Sequence, residues 1–231
     1  MNPLIESLLS LLYPRVCPVC GEVMVESERI MCLACRLKLP VTGFEKRPEW
    51  NPMMEKLMCH APVTRCAAYF YYQREAPHSK LIHRIKYSGQ PSLGRELMRE
   101  YAKILKTTDF FDGIDAIAPV PLSFSRLCAR GYNQSYRLAL GVSDVTSLPI
   151  IDALRATRHR SQTRLGAEAR SRNASGIYSA RRKSLAGVRH ILLIDDIVTT
   201  GATVRACAES LHEANPTMKL SVLSLANTRL G

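Results

Sequence analysis

Two adjacent carboxylates, Asp195 and Asp196, follow four apolar residues at 191–194 and precede a Thr199-Thr200-Gly201 turn. The order of these types suggests a chemistry. A continuous apolar run reads as a strand buried on both faces, as in a parallel sheet covered by helices. Ligands of such sheets bind at the carboxyl ends of the strands, where the two acids are expected. Residues 197–201 then offer backbone N–H groups just before a helix, an arrangement that holds a phosphate without a lysine. Acids to accept sugar hydroxyls, beside a nest for a phosphate, suit a sugar phosphate. The alternatives lack their marks: no Gly-Lys-Ser/Thr precedes the helix, and no G-x-G-x-x-G follows the strand. A bare Asp-Asp pair is commonly a solvated turn, but thirteen ordered positions are a stronger signal.

A second cluster is metal-like. Cys17-Pro-Val-Cys20-Gly is followed, after eleven residues, by Cys32-Leu-Ala-Cys35. Paired C-x-x-C knuckles at this separation suit a tetrahedral structural zinc with all four positions filled by protein. Redox C-x-x-C motifs usually come singly, and disulfides are disfavoured without a secretory leader. Cys59, Cys66, Cys128 and Cys207 have no ligand spacing and read as incidental thiols.

The elements that must position these groups follow from periodicity. Strands are expected at 66–72, 114–120, 148–154, 188–194 and 220–226. Helices are expected at 80–87, 93–105, 132–140 and 203–214, with a loop before the third. Strands alternating with helices imply an α/β fold with a parallel sheet. Residues 1–40 read as an amphipathic helix (4–12) and the zinc module, 41–65 as an irregular, proline-punctuated linker or hood, and 66–231 as the main domain. Trp50, in the linker, reads as a packing anchor. Residues 155–173 carry six arginines against one acid, Glu168, and read as a mobile loop leading into a short helix.

The chain has 32 Lys+Arg against 20 Asp+Glu, a net charge of +12. Such a surface attracts anions, whether nucleic acid, anionic lipid or phosphorylated metabolites. No apolar run approaches the ~18 residues of a spanning helix, and residues 1–14 lack the basic start of a signal peptide. The expectation is a cytoplasmic protein without a membrane span.

The stretch ILLIDDIVTTGAT closely resembles the phosphoribosyl pyrophosphate (PRPP) loop of type I phosphoribosyltransferases. The segment A-P-V-P-L running into SFSRLCARGYNQ resembles a signature of the ComF/GntX family, with Arg126, Arg130, Gly131, Asn133 and Gln134 at its positions. A later run, Arg158, Gln162, Leu165, Arg170 and Asn173, matches as well, and an N-terminal four-cysteine module belongs to that family. The resemblance implies a type I phosphoribosyltransferase fold with a small zinc module. It implies PRPP and magnesium as ligands, with Asp195 and Asp196 as catalytic residues, and Thr199, Thr200, Gly201, Ala202, Thr203, Pro121 and Arg126 around the PRPP. Arg158, Arg160, Gln162, Arg164 and Arg170 become contacts of a flexible loop with an anion or nucleic acid. Two functions are compatible with this. One is a phosphoribosyltransferase, a glycosyltransferase of the pentosyl class, whose acceptor the residues do not reveal. It would be linked to natural competence and DNA uptake, or to nucleotide salvage. The other is a non-catalytic module that handles single-stranded DNA and uses the fold as a phosphate platform, in contact with competence machinery.

Overall fold

The computed structural model describes residues 14–58, 63–157 and 177–229. The amphipathic segment 4–12, Cys59 and the arginine-rich run from Arg158 to Asn173 lie outside these. Helices are α1 Leu33–Leu37, α2 Pro52–Met58, α3 Ser79–Tyr87, α4 Pro91–Leu105, α5 Phe124–Arg130, α6 Gln134–Thr146 and α7 Ala202–Ala214. Strands are β1 Val63–Tyr72, β2 Ala116–Pro119, β3 Leu154–Ala156, β4 Tyr178–Ala180, β5 His190–Val198 and β6 Lys219–Thr228.

The main sheet has the order β1-β6-β5-β2, with every neighbouring pair parallel. Ile150 adds a single parallel bridge to Ile117, extending the sheet beyond β2. From β2 the chain therefore crosses outward through α6, whereas from β5 it crosses through α7 towards β6. Right-handed crossovers running in opposite directions put α6 and α7 on opposite faces. The crossovers diverge between β2 and β5, so the ligand crevice of this fold lies at the carboxyl ends of those two strands.

Local chemistry explains the elements. The four residues 191–194 of β5 have no exposed surface, as a central strand covered on both faces requires. Gly141 of α6 lets that helix approach α4 closely: a Cβ there would sit 2.3 Å from the Arg95 carbonyl oxygen. The outer edge of β1 is covered rather than open. Thr42 N–H donates to the Tyr69 carbonyl (3.1 Å), and Tyr71 N–H to the Pro40 carbonyl (2.8 Å). Covering an edge strand in this way blocks pairing with other chains.

The α/β class, the parallel sheet and the small N-terminal cysteine module match the sequence reading. Several element expectations need correction. Residues 41–65 contain α2, whose start is fixed by Asn51: its Oδ1 accepts from Met53 N and Met54 N, both at 3.1 Å. Trp50 is no packing anchor, being 66% exposed; its buried neighbour Asn51 ties this segment to β1 through the Cys66 carbonyl (2.9 Å). The loop expected before α6 contains a helix, α5, closed by Gly131 at φ 75°. The patch 148–154 is a strand only at Ile150 and again from Leu154, where β3 pairs antiparallel with β4. β5 runs through both acids to Val198, so Asp195 and Asp196 lie on the strand itself and not in the turn.

Candidate functional site

The acid pair is buried: Asp195 is 8% exposed and Asp196 3%. Asp195 Oδ1 accepts from the Ser135 hydroxyl (3.2 Å) and from the Asp196 backbone N–H (2.9 Å). Burial, with the neighbouring Asp196 charge second, pushes the Asp195 carboxyl up to about 7. Asp196 Oδ1 meets the Lys86 ammonium at 3.2 Å, while its buried Oδ2 has no partner among the described residues. Two carboxylates with one counter-ion and one unmatched oxygen form a site poised for hydroxyl donors or a hard cation.

Neither Ser135 nor Lys86 was singled out by the sequence reading. Each is delivered by a motif that was. Asn133 caps α6: its Oδ1 accepts from Ser135 N (2.9 Å), and its amide donates to the Val120 carbonyl (3.0 Å). That pair ties the loop at Pro121 to the helix that presents Ser135. Arg130 lies over the Tyr87 ring at 5.1 Å, and the Tyr132 hydroxyl donates to the Ile85 carbonyl. Both contacts grip α3 on either side of Lys86. The R-G-Y-N-Q run is therefore a bracket that holds two side chains against the acid pair.

Beyond the acids, β5 ends at Val198, and Gly201 turns the chain into α7 at φ 78°, a left-handed backbone that favours glycine. Thr199 and Thr200 are exposed, Gly201 is buried, Ala202 is exposed and Thr203 is half-buried. The first turn of α7 carries the positive end of the helix dipole, and the Ala202 N–H donates to Thr200 Oγ1 (3.4 Å). The turn is walled from behind: a Cβ on Gly201 would lie 2.8 Å from Leu57 Cδ2 on α2. Thr228 Oγ1 donates to the Thr199 carbonyl (3.3 Å), and Lys56 of α2 binds Asn227 and Thr228 at the end of β6.

Pro121 is half-buried in the loop after β2, and Arg126 is exposed on α5. Tyr178 of β4 is half-buried near Thr203 and Arg126, both of which favour its charged form against the effect of burial. Burial raises the Tyr178 phenol to about 12, so it stays a neutral donor. Sequence reasoning missed Tyr178; nothing in its short strand marks it. Arg158, Arg160, Gln162, Arg164 and Arg170 lie outside the described residues. Their segment starts and ends on the β3–β4 hairpin that carries Tyr178.

The four thiols Cys17, Cys20, Cys32 and Cys35 have sulfurs all within 4.8 Å of one another, with Cys20 and Cys32 Sγ 3.6 Å apart. Zn–S bonds of about 2.3 Å put tetrahedral sulfurs about 3.8 Å apart, so the cluster fits zinc. Burial raises the Cys17 thiol, but N–H groups of Cys20, Cys32 and Val19 outweigh it and bring it to about 6, while burial and the neighbouring thiols push Cys35 up, so the set favours one thiolate until a metal neutralises the rest. This is a structural zinc site. The module is docked on the main body, with Lys80 of α3 donating to the Val19 carbonyl (3.1 Å) and Arg36 paired with Glu100 of α4.

Comparison with known proteins agrees with the cysteine module. Residues 8–45 match the double zinc ribbon domain family; among the described residues there is one four-cysteine cluster. A solved structure of the allosteric regulatory enzyme of purine biosynthesis shares 24% identity, covering 58% of this chain and 25% of that one, at a TM-score of 0.38. Glutamine PRPP amidotransferase from B. subtilis gives 22%, 59%, 26% and 0.40. Competence protein F of Haemophilus influenzae is 32% identical over 143 residues, which is 59% of this chain and 62% of that protein. DNA utilization protein YhgH of Escherichia coli K12 is 29% identical over 211 residues, 85% of this chain and 83% of that protein. Competence protein ComFC of Bacillus subtilis is 23% identical across 95% of this chain and 81% of that one. The chain is similar to these ComF-type competence proteins. In this chain the zinc module is seated on α3 and α4, the helices that also flank the acid pair and its surroundings. No helix among the described residues is long and apolar enough to cross a membrane.

Proposed function

We propose that this chain is a competence-associated, phosphoribosyltransferase-like protein that binds PRPP at the carboxyl end of β5. The observation that carries the reading is the burial of two adjacent carboxylates directly before a glycine-capped helix N-terminus. In this reading Thr199–Thr203 hold the 5′-phosphate through backbone N–H groups and hydroxyls. Asp195 and Asp196 accept from the ribose hydroxyls, and Lys86 gives up part of its contact with Asp196 as they do so. The loop at Pro121 and Arg126 face the pyrophosphate across the crevice. The carboxylates and the hard chemistry of PRPP fit magnesium, which when bound neutralises the pyrophosphate as a leaving group. In transfer, the bond from C1 of the ribose to pyrophosphate breaks and its electron pair leaves with pyrophosphate. The acceptor bonds to C1 and releases a proton. The paired carboxylates stabilise the cationic character at C1, and Arg126 stabilises the departing charge.

The names of the relatives favour a second reading, in which the same crevice serves the handling of single-stranded DNA without turnover. Calorimetry with PRPP and magnesium separates the two. Saturable binding, weakened roughly 10- to 100-fold by Asp196→Asn, supports the sugar-phosphate site. Absence of PRPP binding, together with salt-sensitive binding of single strands, supports the second reading.

A further inference from the structure

A second cavity opens beside the acid pair. Its volume is about 590 Å³, and it lies at the carboxyl ends of β1 and β5, against α3. Tyr72, Arg74, Lys80, His83 and Tyr87 line its sides, with Ile197 and Thr199 at its β5 wall. Lys86 belongs to it as well, and the same ammonium touches Asp196 at 3.2 Å. The cavity therefore begins where the sugar-phosphate site ends.

Its composition points to a ligand. Three cations and a histidine line it, and no carboxylate does. Arg74 forms no ion pair among the described residues, so its charge is uncommitted. Two tyrosines and two isoleucines, Ile82 and Ile197, provide flat and apolar surface, on which aromatic bases stack. The charges are also spread out. Lys80 and Lys86 are six residues apart on α3, about 9 Å along its axis, a span that a nucleobase and its own ribose bridge. A bare base could occupy the inner end at Ile197 but would leave Arg74, and the two donors of Lys80 not given to the Val19 carbonyl, without an anion in the outer half. The volume falls in the ordinary range for small-ligand sites, about 300–1,000 Å³.

We infer that this cavity is a binding site for a nucleobase that carries a phosphate, with the base against Tyr72 and Ile197 and the phosphate at Arg74 and Lys80. The inference rests on the PRPP reading for its meaning as the second ligand of that site, but not for its existence as a site. A free mononucleotide and the terminal nucleotide of a single strand share this chemistry.

The test uses the full-length zinc-loaded protein. Free adenine and thymine, their nucleosides, their 5′-monophosphates, inorganic phosphate and short single strands with and without a 5′-phosphate are titrated, each with and without PRPP. Phosphorylated probes are expected to bind at least about tenfold more tightly than bases and nucleosides. Arg74→Gln and Tyr72→Leu are expected to remove that advantage while PRPP affinity stays within about twofold. Equal binding of bases and nucleotides, or nucleotide binding untouched by Arg74→Gln, overturns the inference. Binding confined to 5′-phosphorylated strands identifies a strand terminus as the ligand, whereas mononucleotide binding identifies a free nucleotide. PRPP binding without nucleotide binding sinks this site and leaves the PRPP reading standing; nucleotide binding without PRPP does the reverse.

Discussion

The thiol cluster and the acid pair are both gatherings of like acidic groups that water would keep apart. They are assembled in opposite ways. Four cysteines within nineteen residues meet because two tight turns put them together, and their sulfurs close every coordination position. The acid pair sits on one strand, but its surroundings come from far along the chain: Lys86 from α3, Ser135 from α6 and the Leu57 wall from α2. A closed site of local origin is suited to hold one ion permanently. An open site of distributed origin, with an unmatched oxygen on Asp196, is suited to exchange its ligand.

The largest expected effect falls on the closed site. Zinc binding to such modules is worth on the order of 10 kcal/mol and is coupled to their folding. Cys20→Ser is expected to bring the metal-to-protein ratio from near one to near zero by elemental analysis, with loss of the module's share of the thermal transition. Retention of stoichiometric zinc in that variant would break the contrast between the sites. Next comes the wall behind the turn. Gly201→Ala forces a side chain into Leu57 at a positive φ and is expected to cost about 1–3 kcal/mol by denaturant unfolding, while weakening PRPP. Pairing it with Leu57→Ala should recover only the steric part.

The charge on Asp195 gives a third test. Its folded carboxyl is raised to about 7 from 3.8, so between those values the folded state binds a proton that the unfolded state has lost. Stability from this group is full below about 4 and falls as pH rises towards 7. Asp195→Asn is therefore expected to flatten that slope and to stabilise the protein at pH 8 by roughly 1 kcal/mol or more, while impairing PRPP binding. A variant that is both less stable at pH 8 and unchanged in slope would show that the pair is already neutralised. The smallest effect is expected for Ser135→Ala. Losing one hydrogen bond to Asp195 costs about 0.5–1.5 kcal/mol and should move the midpoint of the pH profile upward.

The same contrast explains what was legible in the sequence. Cysteine spacing specifies a zinc knuckle because the whole site is local. The acid pair and the Gly201 turn were legible because strand, turn and helix follow one another without a break. Lys86 and Ser135 were not, since no spacing relates them to residue 196 and only the packing of α3 and α6 brings them near. α2 was missed because prolines on either side mask seven helical residues. The apolar run that marks β5 stops at 194, although the strand continues through both acids to Val198 inside the sheet. Trp50 reads as a packing anchor, yet it is the smaller Asn51 that takes the buried place, because it satisfies five backbone neighbours.

Leu57 behind Gly201 has a consequence for how such proteins can be cut and recombined. The phosphate turn takes its rear surface from a helix that precedes the first strand of the sheet. A fragment beginning at β1 would carry every residue of the ILLIDDIVTTGAT signature and still present a turn with no backing. Transplanting that signature into another parallel α/β protein would fail for the same reason unless a Leu57 equivalent travelled with it. The unit that can be moved between chains is the turn together with its distant buttress, and a search for natural recombinants should look for the two together.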